Sequence, residues 1–127
     1  MVGRWHLRRR VLDRLAGRRG CAVGTLTVRP EGASLGWLEV GCFTWDGQRF
    51  EMSRSLRLRQ HEGDWWMEFQ DGRLFHPWRP GAIVEHPCAE DLYTGLIDVR
   101  AERMSTLWDV TGPAKSQRLL TRYRRIV

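Results

Sequence analysis

LGWLEVGCFTWDGQRFEMSRSLRL, Leu35–Leu58, is the stretch that decides the fold. Leu35, Trp37, Glu39 and Gly41 fall on one face of an alternating pattern. After Asp46-Gly47 the alternation resumes with Phe50, Met52, Arg54, Leu56 and Leu58. A period of two belongs to a half-buried strand, because successive side chains point to opposite sides of the pleat. Asp-Gly between two such runs predicts a tight hairpin, since a type I′ turn needs positive φ at its centre. Arg54 interrupts an otherwise apolar face, and Glu39 shares the face of Leu35 and Trp37. An inward charge is costly unless another group answers it.

The same pattern extends in both directions. Trp5, Leu7, Arg9, Val11 and Asp13 share one face of an N-terminal run, with Arg4, His6, Arg8, Arg10 and Arg14 on the other. Gly17–Gly20 and Pro30-Glu31-Gly32 read as turns around a second strand, Cys21–Val28. Beyond Leu58, turns at Glu62-Gly63-Asp64 and Asp71-Gly72 bracket strands at Trp65–Gln70 and Arg73–His76. A loop without period holds Pro77, Pro80 and Gly81. Strands follow at Glu85–Cys88, Leu92–Arg100, Ser105–Thr111 and Gln117–Ile126, with Gly112-Pro113 as a break. No stretch reads convincingly as a helix, Leu12–Arg18 being the only marginal candidate. Roughly nine or ten short strands joined by tight turns predict an all-β domain spanning residues 1–127. Sequential hairpins favour a single antiparallel up-and-down β-barrel, in which closure removes the edges, and such a barrel has room for one small ligand.

Composition narrows the class. The chain has 127 residues, 42% of them hydrophobic and seven of them tryptophan, enough for one folded domain. No run is long and apolar enough for a membrane-spanning helix, and the basic start MVGRWHLRRR lacks the apolar core of a secretory signal. Three cysteines without C-x-x-C spacing argue against a disulfide framework and a zinc knuckle, which points to a reduced, cytoplasmic protein. Of 21 basic residues only Lys115 is lysine, and the net charge is +6. That charge permits contact with nucleic acid, but Trp5 and Tyr123 alternate away from the arginine face, leaving no stacking platform, so nucleic acid is not the expected partner.

The chemistry gathers in Phe69–Tyr93, FQDGRLFHPWRPGAIVEHPCAEDLY, which carries His76, His86, Cys88, Asp91 and Tyr93. With Arg9, Glu39, Arg54, Trp108, Lys115 and Tyr123 these residues define the expected ligand-binding wall. Cations facing a Trp-lined interior fit an anionic ligand with an apolar body, such as an acid or a tetrapyrrole, because arginine grips a carboxylate in a fork. Against this stands an internal network in which Arg9 and Arg54 pair with Glu39, Asp13 and Asp91. His76, His86 and Cys88 make a weak metal set, haem included, with no diagnostic spacing, so no metal is assigned and the cofactor is left open. His86 with Asp91, and Cys88 or Tyr93 beside them, are the catalytic candidates for a small lyase, isomerase or hydrolase.

Several motifs resemble those of DUF6314, a family of small, mostly bacterial proteins. The pieces are G-x-W-x-L-x-R-x-V-x-D-R at Gly3–Arg14, F-x-D-G-R-x-F-H at Phe69–His76, H-x-C-x-x-D-x-Y at His86–Tyr93, W-x-V-x-G-P-x-K at Trp108–Lys115 and T-x-Y-x-R at Thr121–Arg125. The resemblance implies a stand-alone, calycin-like barrel and brings no activity with it. It also implies Asp after the lysine, where Ser116 stands here. The expected function is binding of a small, anionic, partly apolar ligand inside the barrel or at its mouth, with a small barrel enzyme as the alternative.

Overall fold

The computed structural model describes all residues, Met1–Val127, as ten antiparallel strands with no helix. They are β1 (Gly3–Asp13), β2 (Arg18–Glu31), β3 (Ser34–Trp45), β4 (Gln48–His61), β5 (Asp64–Phe69), β6 (Leu74–Pro77), β7 (Ile83–Cys88), β8 (Asp91–Val99), β9 (Arg103–Thr111) and β10 (Ser116–Arg125). One sheet runs in the order β6-β5-β4-β3-β2-β1-β10-β9-β8-β7. The first and last strands pair along their length, from Trp5 opposite Arg125 to Asp13 opposite Gln117. The result is a nearly closed, calycin-like barrel. No helix is long and apolar enough to cross a membrane.

The absence of helix agrees with the sequence: β1 runs to Asp13, and Arg14–Gly17 turn the chain into β2, with Gly17 at φ 63°. One expectation is corrected in detail: the barrel does not remove every edge. Its seam lies in mid-chain, between β6 and β7, which stand at the two ends of the sheet order without a shared ladder. Pro77 and Pro87 sit on these two strands and withhold N–H donors, so proline falls where strand pairing stops. The loop between them is tied across by the Gly81 N–H donating to the Ile97 carbonyl at 2.7 Å and the Trp78 N–H donating to the Trp65 carbonyl at 2.9 Å.

The hairpin that decides the fold forms as its sequence predicts. Asp46 and Gly47 have φ of 50° and 75°, the two positive values of a type I′ turn, and β3 and β4 pair from Trp45–Gln48 to Leu35–Leu58. Inward faces follow the alternation: Trp5, Leu7 and Arg9 are buried on β1, while Arg4, His6, Arg8 and Arg10 are exposed.

The interior is divided along the barrel axis. At the end where Gly3 meets Val28 and Leu35 meets Leu58, Trp5, Leu7, Leu26, Val28, Leu56, Leu58, Met67 and Met104 form a packed core. Arg125 closes that end, its guanidinium 4.4 Å from the Trp5 ring centroid, with Nη1 donating to the Val2 carbonyl and Nε to that of Ala101. Toward the other end, large aromatics replace the aliphatic packing. There Gly95, opposite Trp108 on β9, leaves the room that the Trp108 indole occupies. Any side chain at position 95 meets that ring. Gly95→Val should destabilise the fold by about 1–3 kcal/mol in urea unfolding, the usual cost of overpacking, and should also shift the Trp108 fluorescence.

Candidate functional site

A cavity of about 210 Å³ lies between the packed core and the far mouth. Its floor is a polar layer that the sequence placed on inward faces. Arg9 on β1, Glu39 on β3 and Arg54 on β4 reach this layer because each occupies an odd or even position of an otherwise apolar alternation. Glu39 has no exposed surface. Its Oε1 and Oε2 accept from Arg9 Nη2 at 2.9 and 3.0 Å. Arg54 Nη2 lies 3.1 Å from Oε1. Oε2 also accepts from the Tyr123 hydroxyl at 2.7 Å and the Trp37 indole N–H at 3.1 Å. Arg9 is held from its other side by Nε donating to Thr121 Oγ1 at 2.8 Å.

The electrostatics of this layer are decided by competition. Burial alone would push the Glu39 carboxyl up, but Arg54, Arg9 and the Tyr123 hydrogen bond overcome it and hold the group at about 2. The same carboxylate, added to burial, raises the Tyr123 phenol well above its usual range. Glu39 is therefore ionised and Tyr123 neutral. Two guanidiniums share one carboxylate, which leaves a net positive charge at the cavity floor. Arg54 has a 40% exposed side chain, yet its Nε is buried with no hydrogen-bond partner.

Aromatic side chains make the walls. Phe75, Trp108 and His76 pack together, with 4.5 Å between the His76 and Trp108 centroids, and Trp37 meets Trp78 edge-on at 5.7 Å. Tyr93, Val110 and Gln117 continue the lining toward the mouth. His76 is buried, and its Nδ1 lies 2.9 Å from the Pro77 carbonyl. A carbonyl only accepts, so Nδ1 carries the proton and Nε2 is left as an acceptor. Burial, then the Arg54 charge and that of His86, lower the His76 pKa to about 4 against the raising effect of the Pro77 bond, so the ring is neutral near pH 7.

The residues singled out from the sequence fall into three groups. Arg9, Arg54, His76, Tyr93, Trp108 and Tyr123 line the cavity, and Glu39 lies directly beneath it. His86 points to the inner side of β7, is half-buried and lies opposite Tyr93, with burial lowering its pKa; it stands near His76 across the seam but does not line the cavity. Cys88 is exposed at the end of β7, and Lys115 is 47% exposed, its Nζ 3.4 Å from Asp91 Oδ2. Asp91 is thus engaged with Lys115 at the rim, away from Arg9 and Arg54. Asp13 is also outside the network: its Oδ1 accepts from the N–H groups of Leu15 and Ala16. His76, His86 and Cys88 do not gather as a metal-binding set; no three His, Cys, Asp or Glu side chains do. Sequence reasoning missed Phe75, Trp78, Gln117 and Thr121. Gln117 and Thr121 were legible as inward positions of β10, whereas Trp78 lies in a loop without period.

This geometry defines a small β-barrel with a charged-floored, aromatic-walled cavity. The chain belongs to the family of unknown function DUF6314, whose profile matches residues 1–125. No curated protein matches the sequence. In fold the chain is similar to the S-type phycobiliprotein lyase CPES from Guillardia theta, with a TM-score of 0.71 at 11% identity over 99% of this chain and 88% of that one.

The floor and His76 each bear on stability. Removing Glu39 strands Arg9 in the interior, so Glu39→Ala should cost about 3–5 kcal/mol in urea unfolding. Arg54→Met leaves the Arg9–Glu39 pair and the Tyr123 and Trp37 donors intact and should cost less than Glu39→Ala. For His76 the folded pKa lies below the unfolded one, so the unfolded chain takes up a proton first. Its contribution is complete above about pH 6.5 and is lost as pH falls toward 4, up to about 3 kcal/mol at 1.36 kcal/mol per pKa unit. Asparagine keeps a donor near the Pro77 carbonyl without titrating. Urea midpoints of His76→Asn should therefore fall less than those of the native chain between about pH 7 and pH 5.

Proposed function

We propose that this barrel binds a small, flat carboxylic acid, with the carboxylate against Arg54 at the cavity floor and the apolar body between the aromatic walls. The observation that carries this reading is the charge imbalance of the floor: two arginines, one carboxylate, and an Arg54 Nε without a partner. A buried donor left unpaired costs about 1–3 kcal/mol, which an acceptor on a ligand would relieve. A guanidinium fork matches a carboxylate in shape as well as in charge. Trp37, Phe75, Trp78 and Trp108 supply faces and edges for a planar apolar body. The neutral His76 Nε2 offers an acceptor for an N–H or O–H of the same ligand.

Size bounds the ligand. The cavity, about 210 Å³, is below the usual range of about 300–1,000 Å³ for small-molecule sites. A bicyclic acid suits it, and a longer molecule would keep part of itself outside the mouth, near Tyr93 and Gln117. The likeness in fold to a phycobiliprotein lyase supports a ligand-holding barrel and puts open-chain tetrapyrrole acids among the ligands to test. Catalysis through His86 and Asp91 has less support, because Asp91 is engaged with Lys115.

Calorimetric titration with naphthalene-2-carboxylate and biliverdin, each beside its methyl ester, tests the proposal. At least one acid should bind about tenfold or more tighter than its ester, a difference of about 1.4 kcal/mol, and Arg54→Met should erase the preference while the fold is retained. Equal affinity for acid and ester, or no binding of either acid, would overturn it.

A further inference from the structure

The outer face of the barrel carries a pattern that the interior site does not use. Cross-strand registers align its side chains in rows. One row is apolar: Ile83 lies opposite Leu96, Leu96 opposite Leu107, and Leu107 opposite Leu120. Ile83 and Leu96 are exposed. The row beside it runs through Asp98, Ser105, Arg122 and Arg8, and the next joins Arg103, Arg124 and His6. Arg8 faces Arg122 directly, and Arg124 faces Arg103. Like charges directly opposite on a sheet repel. None of these four arginines has a carboxylate within ion-pair distance, in contrast to Arg100 with Asp98 at 3.1 Å and Arg118 with Asp109 at 3.3 Å. A groove of about 780 Å³ runs over the same arginines.

We propose that this outer face of β1, β10, β9 and β8 docks an acidic, amphipathic protein segment, with the arginine rows taking its carboxylates and the Ile83–Leu96 row its apolar side chains. The four unanswered, mutually repelling arginines call for a partner of negative charge. The aliphatic row beside them calls for apolar contact as well, which a phosphate backbone does not offer. No aromatic side chain on this face provides a stacking platform, because Trp5 and Tyr123 are buried inside. The concave groove fits a convex rod better than a flat bilayer. A second copy of the chain fits poorly, since a two-fold contact would set arginine rows against each other.

The face can be tested on the full chain with defined probes. One is a helical peptide of Glu and Leu in amphipathic spacing, and another is its Glu/Ala counterpart. A duplex DNA of about 20 base pairs and phosphatidylglycerol vesicles complete the set. The Glu/Leu peptide should bind most tightly. Arg122→Glu with Arg124→Glu should weaken it about tenfold or more, and Ile83→Ser with Leu96→Ser several-fold without changing the salt dependence. Arg8→Glu alone should raise the urea midpoint at low salt by placing opposite charges across the strands, with the gain shrinking at high salt. Tighter binding of DNA or vesicles than of the Glu/Leu peptide, equal binding of the two peptides, or unchanged affinity in the charge-swapped variant would overturn the proposal.

Discussion

Everything in this barrel is arranged around one fully buried carboxylate. Glu39 accepts from Arg9, Tyr123 and Trp37 and faces Arg54 at 3.1 Å, side chains from four strands. An isolated carboxylate in such a place would be neutralised by its own desolvation cost. Here the donors outweigh burial, so the charge persists and pins β1, β3, β4 and β10 to one another. Such a cluster is weak evidence for net stability, since an apolar substitute of equal volume often does as well. What it fixes is register: a one-residue slip of any contributing strand would turn its partner side chain to the outside.

The same cluster separates two kinds of interior. On one side, aliphatic side chains with Trp5 and Met67 fill the barrel, as they do in small barrels that hold nothing. On the other side, planar rings meet at angles, from 15° between Phe75 and Trp108 to 83° between Phe75 and Tyr93, and leave space between them. Aromatic pairs prefer offset-stacked or edge-to-face contacts, and both kinds occur here. Arg54 stands at the border, bound to Glu39 by one nitrogen, with its buried Nε unpartnered. The polar floor thus ends the core and begins the cavity.

Much of this was legible in the sequence because alternation carries so much information in a sheet. Trp5, Leu7 and Arg9 announce their side of β1, and Asp46-Gly47 announces its turn. The inward charges Arg9, Glu39 and Arg54 were visible as breaks in apolar faces, and they converge. Other parts were not legible, for physical reasons. Cys88 and Lys115 belong to the right segments, but strand ends and hairpins point their side chains into solvent. Trp78 reaches the cavity from a loop, where no period reveals direction. The seam was hidden too, because hairpin order does not say which neighbouring pair lacks a ladder.

That seam ties the fold to the chemistry. Edge strands expose unpaired backbone groups and are kept from wrong pairing by shortness, proline and charge. β6 has four residues and ends on Pro77, while β7 carries Pro87 with the exposed Glu85 between it and Ile83. Proline at position 77 also leaves its carbonyl where the His76 Nδ1–H can donate to it. The device that stops strand pairing therefore also fixes the tautomer of the one buried histidine. With His86 half-buried on the opposing edge, both imidazoles of Phe69–Tyr93 meet where the ladder is missing. The stretch combines prolines and histidines because an unclosed seam needs the first and gives the second a place away from solvent.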